Sequence, residues 1–555
     1  MDKKRKETHS KCVLCNTTRR RESLAYVILD ICLVQVFPKL KALEVLDSHS
    51  FTPGTNPNGW MVVGDKKKWQ KGYERKSKSK PIDAVQSENG CYMRLYHDYH
   101  LKTLMIHNHI LSHPKRPSHA LRPDTFLLTF YLDNLLPFLF PFYNPSLLED
   151  GKAWLLEMMI SSPVVRQATR CQSSYFFSLA QGQDADWKTV LEQTKDAFSM
   201  LGKSLQFIQG FNIMEHVHGA IRILAGIVQL QRYGTSLLSF DNCQAHLSGA
   251  VALFKQLLDS VGSSDPRSSF SVVISRLGPS SQIAERLEVP SAEQSAFRFS
   301  SALLFFDDIV ASTVLQQKPK LYEYHQSLLD DVNEGGPAVD LETVVGCQNW
   351  VLIQMGESAS LDAWKQDCQR AGNLDVMEMV RIATTIKASL EIQLSGVKAN
   401  GDKGLDKHQR QFNILTGEDE QQSKTRAAQS SLVTQVWAHA VLIYLSVIVS
   451  GWQPASVEIC QNVEGVLKHI ESPISILPRA LLRTMVWPFC VAGCLAEPAQ
   501  RPRFRSIVEE LQPPRVFGTL SKALEIMKKD WREENDTGRD LATCFKGHGD
   551  LVLLV

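Results

Sequence analysis

Beyond Pro123, apolar positions recur at steps of three and four residues along most of the chain, which is the period of an amphipathic helix. Strand-like alternation is rare there. The pattern predicts helices over Asp186–Gln209, Ile213–Tyr233, Asn242–Val261, Ala292–Gln316, Leu341–Met355, Val376–Leu394, Ser431–Gly451, Ser456–Ile470, Pro478–Leu495 and Phe517–Glu533. We therefore expect an all-α fold, with one large multi-helix domain over residues 123–535 and a tail over residues 536–555.

The predicted domain opens with a stretch rich in Leu, Phe, Tyr and Met that runs from Pro123 to Ala180. Prolines interrupt it at positions 137, 141, 145 and 163. Proline lacks a backbone N–H and its ring clashes with the preceding helical turn, so each one tends to end or kink a helix. The spacing predicts short helices that fold back on one another, with apolar faces that need partners elsewhere in the domain.

The most apolar run, Val436–Trp452, raises the question of a membrane span. Its 17 residues lie at the lower limit of the length needed to cross a bilayer, and His439 falls inside it. Other predicted helices are nearly as apolar. The run is therefore predicted to be a buried core helix, and no membrane partner is expected.

Charge is distributed unevenly, although the 555-residue chain has a formal net charge of only +2. Residues 1–22 form a basic arm in which two clusters flank a polar stretch, the arrangement of a bipartite nuclear import signal. The same side chains could contact DNA phosphates, and a merely solvated terminus is the alternative. The candidate residues for DNA contact or nuclear import are Lys3, Lys4, Arg5, Lys6, Arg19, Arg20 and Arg21.

Within the arm, Cys12 and Cys15 have the spacing of two thiolates that can share one zinc ion. A structural zinc site needs four ligands, and the next cysteines are only at Cys32 and Cys91. The pair is therefore either an incomplete metal site or two free thiols. Residues 23–122 are heterogeneous in composition and are predicted to form an irregular, poorly ordered linker region.

Catalytic signatures are missing from the sequence. It has no glycine-rich phosphate loop, no H-E-x-x-H pair and no G-x-S-x-G elbow, so we expect no enzymatic activity and no catalytic residues. Asp307 and Asp308 diverge on a helix, and we expect one exposed charge and one partner of a buried polar group. Cys490 and Cys494 lie in an apolar segment and are predicted to pack in the core. The tryptophans either fill core volume or line a small-molecule cavity.

Several blocks of the domain carry a family resemblance, in the order FYLDNLLPFLFPFY, MMISSPVVRQATRCQSSYFFSLA, AFRFSSALLFFDDIVASTVLQ, VVGCQNWVLIQMGESASLDAWK, VWAHAVLIYLSVIVSGWQP and LLRTMVWPFCVAGCLA. Together they resemble the regulatory domain of fungal-specific transcription factors, which lies downstream of a binuclear zinc cluster. The resemblance implies an all-α regulatory domain, a nuclear location and control of RNA polymerase II promoters, often those of a metabolic or secondary-metabolite gene cluster. It also implies promoter DNA and the transcription machinery as partners, and a homodimer in many members.

The N-terminal arm departs from that family. The resemblance implies six cysteines around two zinc ions; Cys12 and Cys15 match the first pair, but Glu22 stands where the third cysteine is expected. This set cannot hold two zinc ions. Three explanations stay open: a member that kept only its regulatory domain, a misjoined gene model over about residues 23–120, or a divergent basic DNA contact. A helical interaction or ligand-sensing protein without its own DNA-binding domain is the alternative function.

Overall fold

Helices make up most of the described chain in a computed structural model of the protein. The structure describes residues 123–145, 151–181, 187–208, 213–238, 240–278, 281–284, 287–330, 336–397, 420–472, 477–533 and 539–545. The arm and the linker region predicted before residue 123 lie outside these ranges, as does most of the predicted tail. The all-α fold class is confirmed for the part of the chain that the structure describes.

The first half of the domain is a succession of helices with one short hairpin. Its helices are α1 (Pro123–Phe130), α2 (Leu136–Leu139), α3 (Ala153–Ser161), α4 (Pro163–Ala180), α5 (Trp187–Ile208), α6 (Val217–Ser236), α7 (Phe240–Asp259), α8 (Pro266–Arg276), α9 (Ala292–Leu315) and α10 (Tyr322–Leu329). A π-helical turn over Tyr131–Leu135 joins α1 to α2. Strands β1 (Ser281–Ala284) and β2 (Leu287–Val289) pair antiparallel.

The second half is helical throughout its described residues. Its α-helices are α11 (Glu342–Val345), α12 (Asn349–Ala371), α13 (Val376–Val397), α14 (Glu420–Ser450), α15 (Val457–Ile470), α16 (Val486–Cys494), α17 (Arg501–Glu509), α18 (Gly518–Asp530) and α19 (Leu541–Phe545). Two 3₁₀ segments, Arg479–Met485 and Pro514–Phe517, precede α16 and α18. Most predicted helices agree with these bounds to within a few residues.

The proline-rich opening stretch folds into short helices, as predicted. Helix α3 ends at Ser161 and α4 begins at Pro163, where the missing N–H of proline costs no helical hydrogen bond. Ser162 caps α4 by accepting a hydrogen bond from the Val165 backbone N–H. The apolar faces find the expected partners: α4 packs against α5 and α6, and α3 packs against α9.

Helix α9 is the centre of the described domain. It contacts α3, α6, α7, α11, α12 and α19. Every residue from Ala292 to Val314 is buried except Arg298. The helix starts in a capping box, in which the Ser291 side chain and the Gln294 side chain satisfy each other's backbone N–H groups. Because neighbours surround α9, even its polar residues lie in the interior.

Helix α14 contains the most apolar run of the chain. It is long and apolar enough to cross a membrane, yet 78% of its 18-residue apolar window is buried inside the protein. Helices α12, α13, α15 and α16 cover it. A soluble core helix passes the same length and composition test as a membrane span, and the burial of α14 fits the predicted core helix.

Two tryptophans stack in the core, Trp437 from α14 and Trp487 from α16, with ring centroids 5.5 Å apart and an interplanar angle of 4°. The Trp487 indole N–H donates to Thr313 Oγ1 at 2.9 Å, and the Trp437 N–H donates to the Thr484 carbonyl at 3.1 Å. Both side chains are buried. These two tryptophans fill core volume, which was one of the two readings from the sequence.

We expect Thr313→Val to lower the free energy of unfolding by about 1–3 kcal/mol, because valine has the same shape but leaves the buried Trp487 N–H without an acceptor. Urea denaturation followed by tryptophan fluorescence measures the loss. Thr385→Val is the control: Thr385 is exposed on α13, and its replacement should stay within about 0.5 kcal/mol. Equal losses in the two variants would contradict the role given to this hydrogen bond.

Candidate functional site

A cavity of about 60 Å³ lies where several helix ends meet the sides of α4 and α9. Its apolar wall is formed by Leu139, Phe140, Leu303, Phe306, Val344, Val345 and Val486. Its polar lining consists of Gln172, Arg232, Thr235, Ser236, Arg483, Thr484 and Thr519. The lining contains two arginines and no carboxylate. The two arginines make it a candidate site for an anionic ligand.

Arg232 reaches the cavity from the last turns of α6. Its Nη2 lies 2.5 Å from Asp307 Oδ1, and Gln231 Nε2 donates to Asp307 Oδ2 at 2.8 Å. Burial raises the pKa of Asp307 to about 6, although the positive charge of Arg232 lowers it. Nε of Arg232 is buried and has no hydrogen-bond partner. The ion pair therefore uses only part of the guanidinium.

Arg483 reaches the same cavity from the 3₁₀ segment Arg479–Met485. Its guanidinium carbon lies 4.4 Å from the ring centroid of Phe138 and 5.8 Å from that of Phe176. Its one hydrogen bond is long, 3.5 Å from Nη1 to the Phe138 carbonyl. Burial, reinforced by the nearby charge of Arg232, lowers the pKa of Arg483 to about 10. No carboxylate among the described residues pairs with this arginine.

Gln172 brings an amide to the cavity from the buried face of α4. Gln229 Nε2 donates to Gln172 Oε1 and to the Tyr131 hydroxyl, both at 2.8 Å. Gln172 is only 1% exposed, and its own Nε2 has no partner. A buried amide donor without an acceptor costs free energy, so an acceptor placed beside this nitrogen would be stabilised.

Three of the cavity hydroxyls, those of Thr235, Ser236 and Thr484, are hydrogen-bonded to backbone carbonyls. Thr235 Oγ1 donates to the Gln231 carbonyl at 3.2 Å, Ser236 Oγ to the Arg232 carbonyl at 3.0 Å and Thr484 Oγ1 to the Leu481 carbonyl at 2.8 Å. Each is thus bonded within its own helical segment, and no base is among the lining residues. The arrangement can bind a molecule, and it offers no nucleophile–base pair.

The expectation that Asp307 and Asp308 would divide into one exposed and one buried charge is wrong. Both are buried, at 0% and 3% exposure. Asp307 pairs with Arg232, while Asp308 accepts a hydrogen bond from the Leu321 backbone N–H at 2.8 Å. The reason is that α9 has neighbours on all sides, so residues that point in different directions both meet protein.

Cys490 and Cys494 are buried in α16, as predicted for core packing. The candidate DNA-contact or import residues Lys3, Lys4, Arg5, Lys6, Arg19, Arg20 and Arg21, together with the candidate zinc ligands Cys12 and Cys15, lie outside the described residues. Within the described ranges, no group of three or more His, Cys, Asp or Glu side chains is arranged to hold a metal ion.

The two cavity arginines were missed by the reasoning from sequence. Arg232 lies in IVQLQRYG and Arg483 in ALLRTMVW, each a single charge in a segment that is otherwise apolar or uncharged. A single charged residue in an apolar segment is the sequence feature that could have identified these arginines, since a buried charge needs a partner or a ligand. The signal does not say which two such residues meet, because that depends on packing between distant helices.

Comparison with known proteins gives a consistent family assignment. The model of the fungal-specific transcription factor domain matches residues 126–553. Transcription factor dibT of Pestalotiopsis microspora is 34% identical, over 77% of this chain and 70% of that protein. The ustiloxin B cluster transcription factor ustR of Aspergillus flavus is 26% identical, over 73% and 67%. The trichothecene biosynthesis transcription regulator TRI10 of Trichoderma arundinaceum is 24% identical, over 75% and 93%.

No solved structure gives a significant match. The family match nevertheless spans nearly all of the described helices, from α1 to α19, and so includes every element that lines the cavity. The relatives cover 73–77% of the chain and carry names of transcription factors and regulators. The chain belongs to the family of fungal-specific transcription factor domain proteins.

Proposed function

We propose that the protein is a nuclear transcriptional regulator that acts on RNA polymerase II promoters and controls a metabolic or secondary-metabolite gene cluster. The observation that carries the proposal is the family match over residues 126–553. It is supported by relatives whose names state such roles, among them the regulators of ustiloxin B and trichothecene biosynthesis. The sign of regulation and the target genes lie outside the proposal.

In this proposal each part of the chain has a separate role. Residues 123–535 form the regulatory domain, residues 1–22 contact DNA or direct nuclear import, residues 23–122 link the two, and residues 536–555 form a tail. Lysines and arginines of the arm neutralise DNA phosphates, a contact that does not require a folded zinc cluster. Zinc at Cys12 and Cys15 alone would be incomplete, because Glu22 occupies the position of the third cysteine. Other partners are the transcription machinery and a second copy of the chain.

A second candidate is a regulator that has lost its own DNA-binding domain and acts through a partner protein or as a ligand sensor. Two observations favour it. The cysteine set of the arm is incomplete, and the regulatory domain holds a cationic cavity. The two candidates differ in one property, which is direct affinity for DNA.

A deletion strain tests the proposed function. Removing the gene should change the transcripts of a contiguous biosynthetic gene cluster, and returning the tagged full chain should restore them and place the protein at promoters of that cluster by chromatin immunoprecipitation. Unchanged transcripts in all genomic clusters under conditions where the protein is present would overturn the proposal.

A variant of the full chain with glutamine in place of the seven basic residues of the arm separates the two candidates. If the arm binds promoters directly, the negative slope of log K against log salt concentration should become less steep by roughly 0.9 for each phosphate contact that is lost. The variant needs an added import signal in cells, so that loss of promoter occupancy reports DNA contact alone. Unchanged DNA affinity and occupancy would favour action through a partner.

A further inference from the structure

We propose that the cavity between Arg232 and Arg483 binds the carboxylate of a small organic acid, held by the two guanidinium groups and by Gln172 Nε2. The proposal deepens the proposed function and rests on it for its biological meaning, because an acid bound in a regulatory domain is an effector. Binding itself can be measured without any promoter. A test of binding can therefore fail while the regulatory role stands, and the reverse also holds.

The charge of the site favours an anion. Arg232 shares its charge with Asp307, but no carboxylate among the described residues pairs with Arg483. The two arginines are close enough for Arg232 to lower the pKa of Arg483. Like charges in a poorly hydrated place repel each other, and an anion between them removes that repulsion. A cation would find no carboxylate in the lining.

The donors of the site are only partly used. Arg483 carries five N–H donors, and the structure gives it one long hydrogen bond, from Nη1 to the Phe138 carbonyl. Gln172 Nε2 and Arg232 Nε are buried without partners. The aromatic contacts with Phe138 and Phe176 hold the Arg483 guanidinium beside the cavity, since its carbon lies 4.4 and 5.8 Å from the two ring centroids. A planar fork held in this way suits the bidentate recognition of a carboxylate.

The volume and the apolar lining of the cavity limit which organic acids can bind there. A volume of about 60 Å³ exceeds the space needed by one water molecule several times over. It therefore admits a carboxylate with a short apolar stem. Phe140, Phe306 and Val344 supply an apolar wall for that stem. Thr484 and Thr519 are half-buried lining residues that add hydroxyl groups to the wall.

Occupation of the site would connect distant parts of the chain. Arg232 lies in the last turns of α6 in the first half of the domain, while Arg483 precedes α16 in the second half. A bidentate anion that contacts both would favour the arrangement in which these ends approach, by the difference in its affinity for the two arrangements. Binding of the acid could therefore change how the segments that carry the two arginines are arranged around the central helix α9.

Isothermal titration of the purified full chain with sodium propanoate and sodium benzoate tests the proposal. Propanamide and benzamide are the neutral controls, and sodium chloride keeps the ionic strength equal. We expect saturable binding of at least one carboxylate and none of its amide. Failure of both carboxylates to bind, or equal binding of acid and amide, would overturn the proposal.

Variants locate the binding. Arg483→Met keeps most of the side-chain volume and should weaken carboxylate binding by about 10- to 100-fold, the range for loss of a charged hydrogen-bond partner. Arg483→Lys should recover part of the affinity, because it restores the charge without the fork. Arg381→Met is the matched control, since Arg381 is exposed on α13 and pairs with Glu378.

Thermal unfolding without ligand shows whether each variant is folded. Should Arg483→Met fail to fold, Gln172→Leu replaces it as the test, with an expected loss of about 10-fold or more from one hydrogen bond to the charged carboxylate. Unchanged affinity in a folded Arg483→Met variant, or an equal loss in Arg381→Met, would overturn the assignment of the site to this cavity.

Discussion

Replacing Gly346 by alanine is expected to lower the free energy of unfolding by about 2–5 kcal/mol. Gly346 ends α11 with a φ of +77°, a left-handed conformation that costs a residue with a Cβ about 1–2 kcal/mol. A Cβ at this position would also overlap the ring of Phe142, which is 5% exposed and packed in the core. Forcing extra volume into a packed core adds about 1–3 kcal/mol.

Gly372 supplies the matched control for this experiment. It ends α12 with a similar φ of +70°, but a Cβ there would meet nothing within 4 Å. Gly372→Ala should therefore show the backbone cost alone, and the difference between the two variants measures the overlap with Phe142. Urea denaturation of both variants provides the comparison. Losses of the same size would contradict the argument, since they would leave no contribution for the Phe142 ring.

The same glycine explains an error in the sequence reasoning. Apolar periodicity predicted a single helix over Leu341–Met355, whereas the structure has α11 and α12 with a break at Gly346. Apolar periodicity indicates which side chains face the core, but it does not show where the backbone changes direction. The left-handed residue turns the chain while the apolar positions continue, so the two helices read as one in the pattern.

Two of the helices that the pattern missed have few buried residues. Helix α8, with the sequence PRSSFSVVISR, buries only Ser269, Phe270 and Val273, and α17 buries Phe504, Ile507 and Val508. The hairpin of β1 and β2 was also not predicted, because two strands of three and four residues are too short for an alternating pattern. Long helices with one continuous apolar face were placed well for the opposite reason.

The candidate site was less accessible to sequence reasoning than the fold. A helix pattern assigns each residue to a face, but it cannot say that α9 is covered on every face, and so both aspartates were misjudged. Arg232 and Arg483 lie far apart in sequence, and only the packing of the domain brings α6 and the segment before α16 to one cavity. Family resemblance indicates the regulatory domain and carries no information on where its charges are paired.

Arg232→Met is expected to lower the free energy of unfolding by about 3–5 kcal/mol near neutral pH, the usual cost of leaving one member of a buried ion pair alone. The carboxylate left behind is that of Asp307, which is 0% exposed and keeps only the hydrogen bond from Gln231 Nε2. Arg298→Met is the control, because Arg298 is the exposed residue of α9, and its replacement should stay within about 0.5 kcal/mol.

The loss of stability in Arg232→Met should be larger at higher pH. The pKa of Asp307 is already raised to about 6 by burial, and Arg232 holds it down, so the variant raises it further above the unfolded value. Between the pKa of Asp307 in the unfolded chain and its higher pKa in the folded variant, the folded variant keeps a proton that the unfolded chain has released. The stability of the variant therefore falls as pH rises between these two pKa values. Urea denaturation at several pH values should show the gap between wild type and variant narrowing towards about pH 5, where Asp307 is mostly protonated in the variant.

Combining Arg232→Met with Asp307→Asn should recover much of the lost stability near neutral pH, because the buried charge disappears together with its partner. The pH dependence of the gap should vanish in the double variant for the same reason. A loss that is equal at every pH, or a double variant as unstable as Arg232→Met alone, would mean that Arg232 acts through its packing against Phe306.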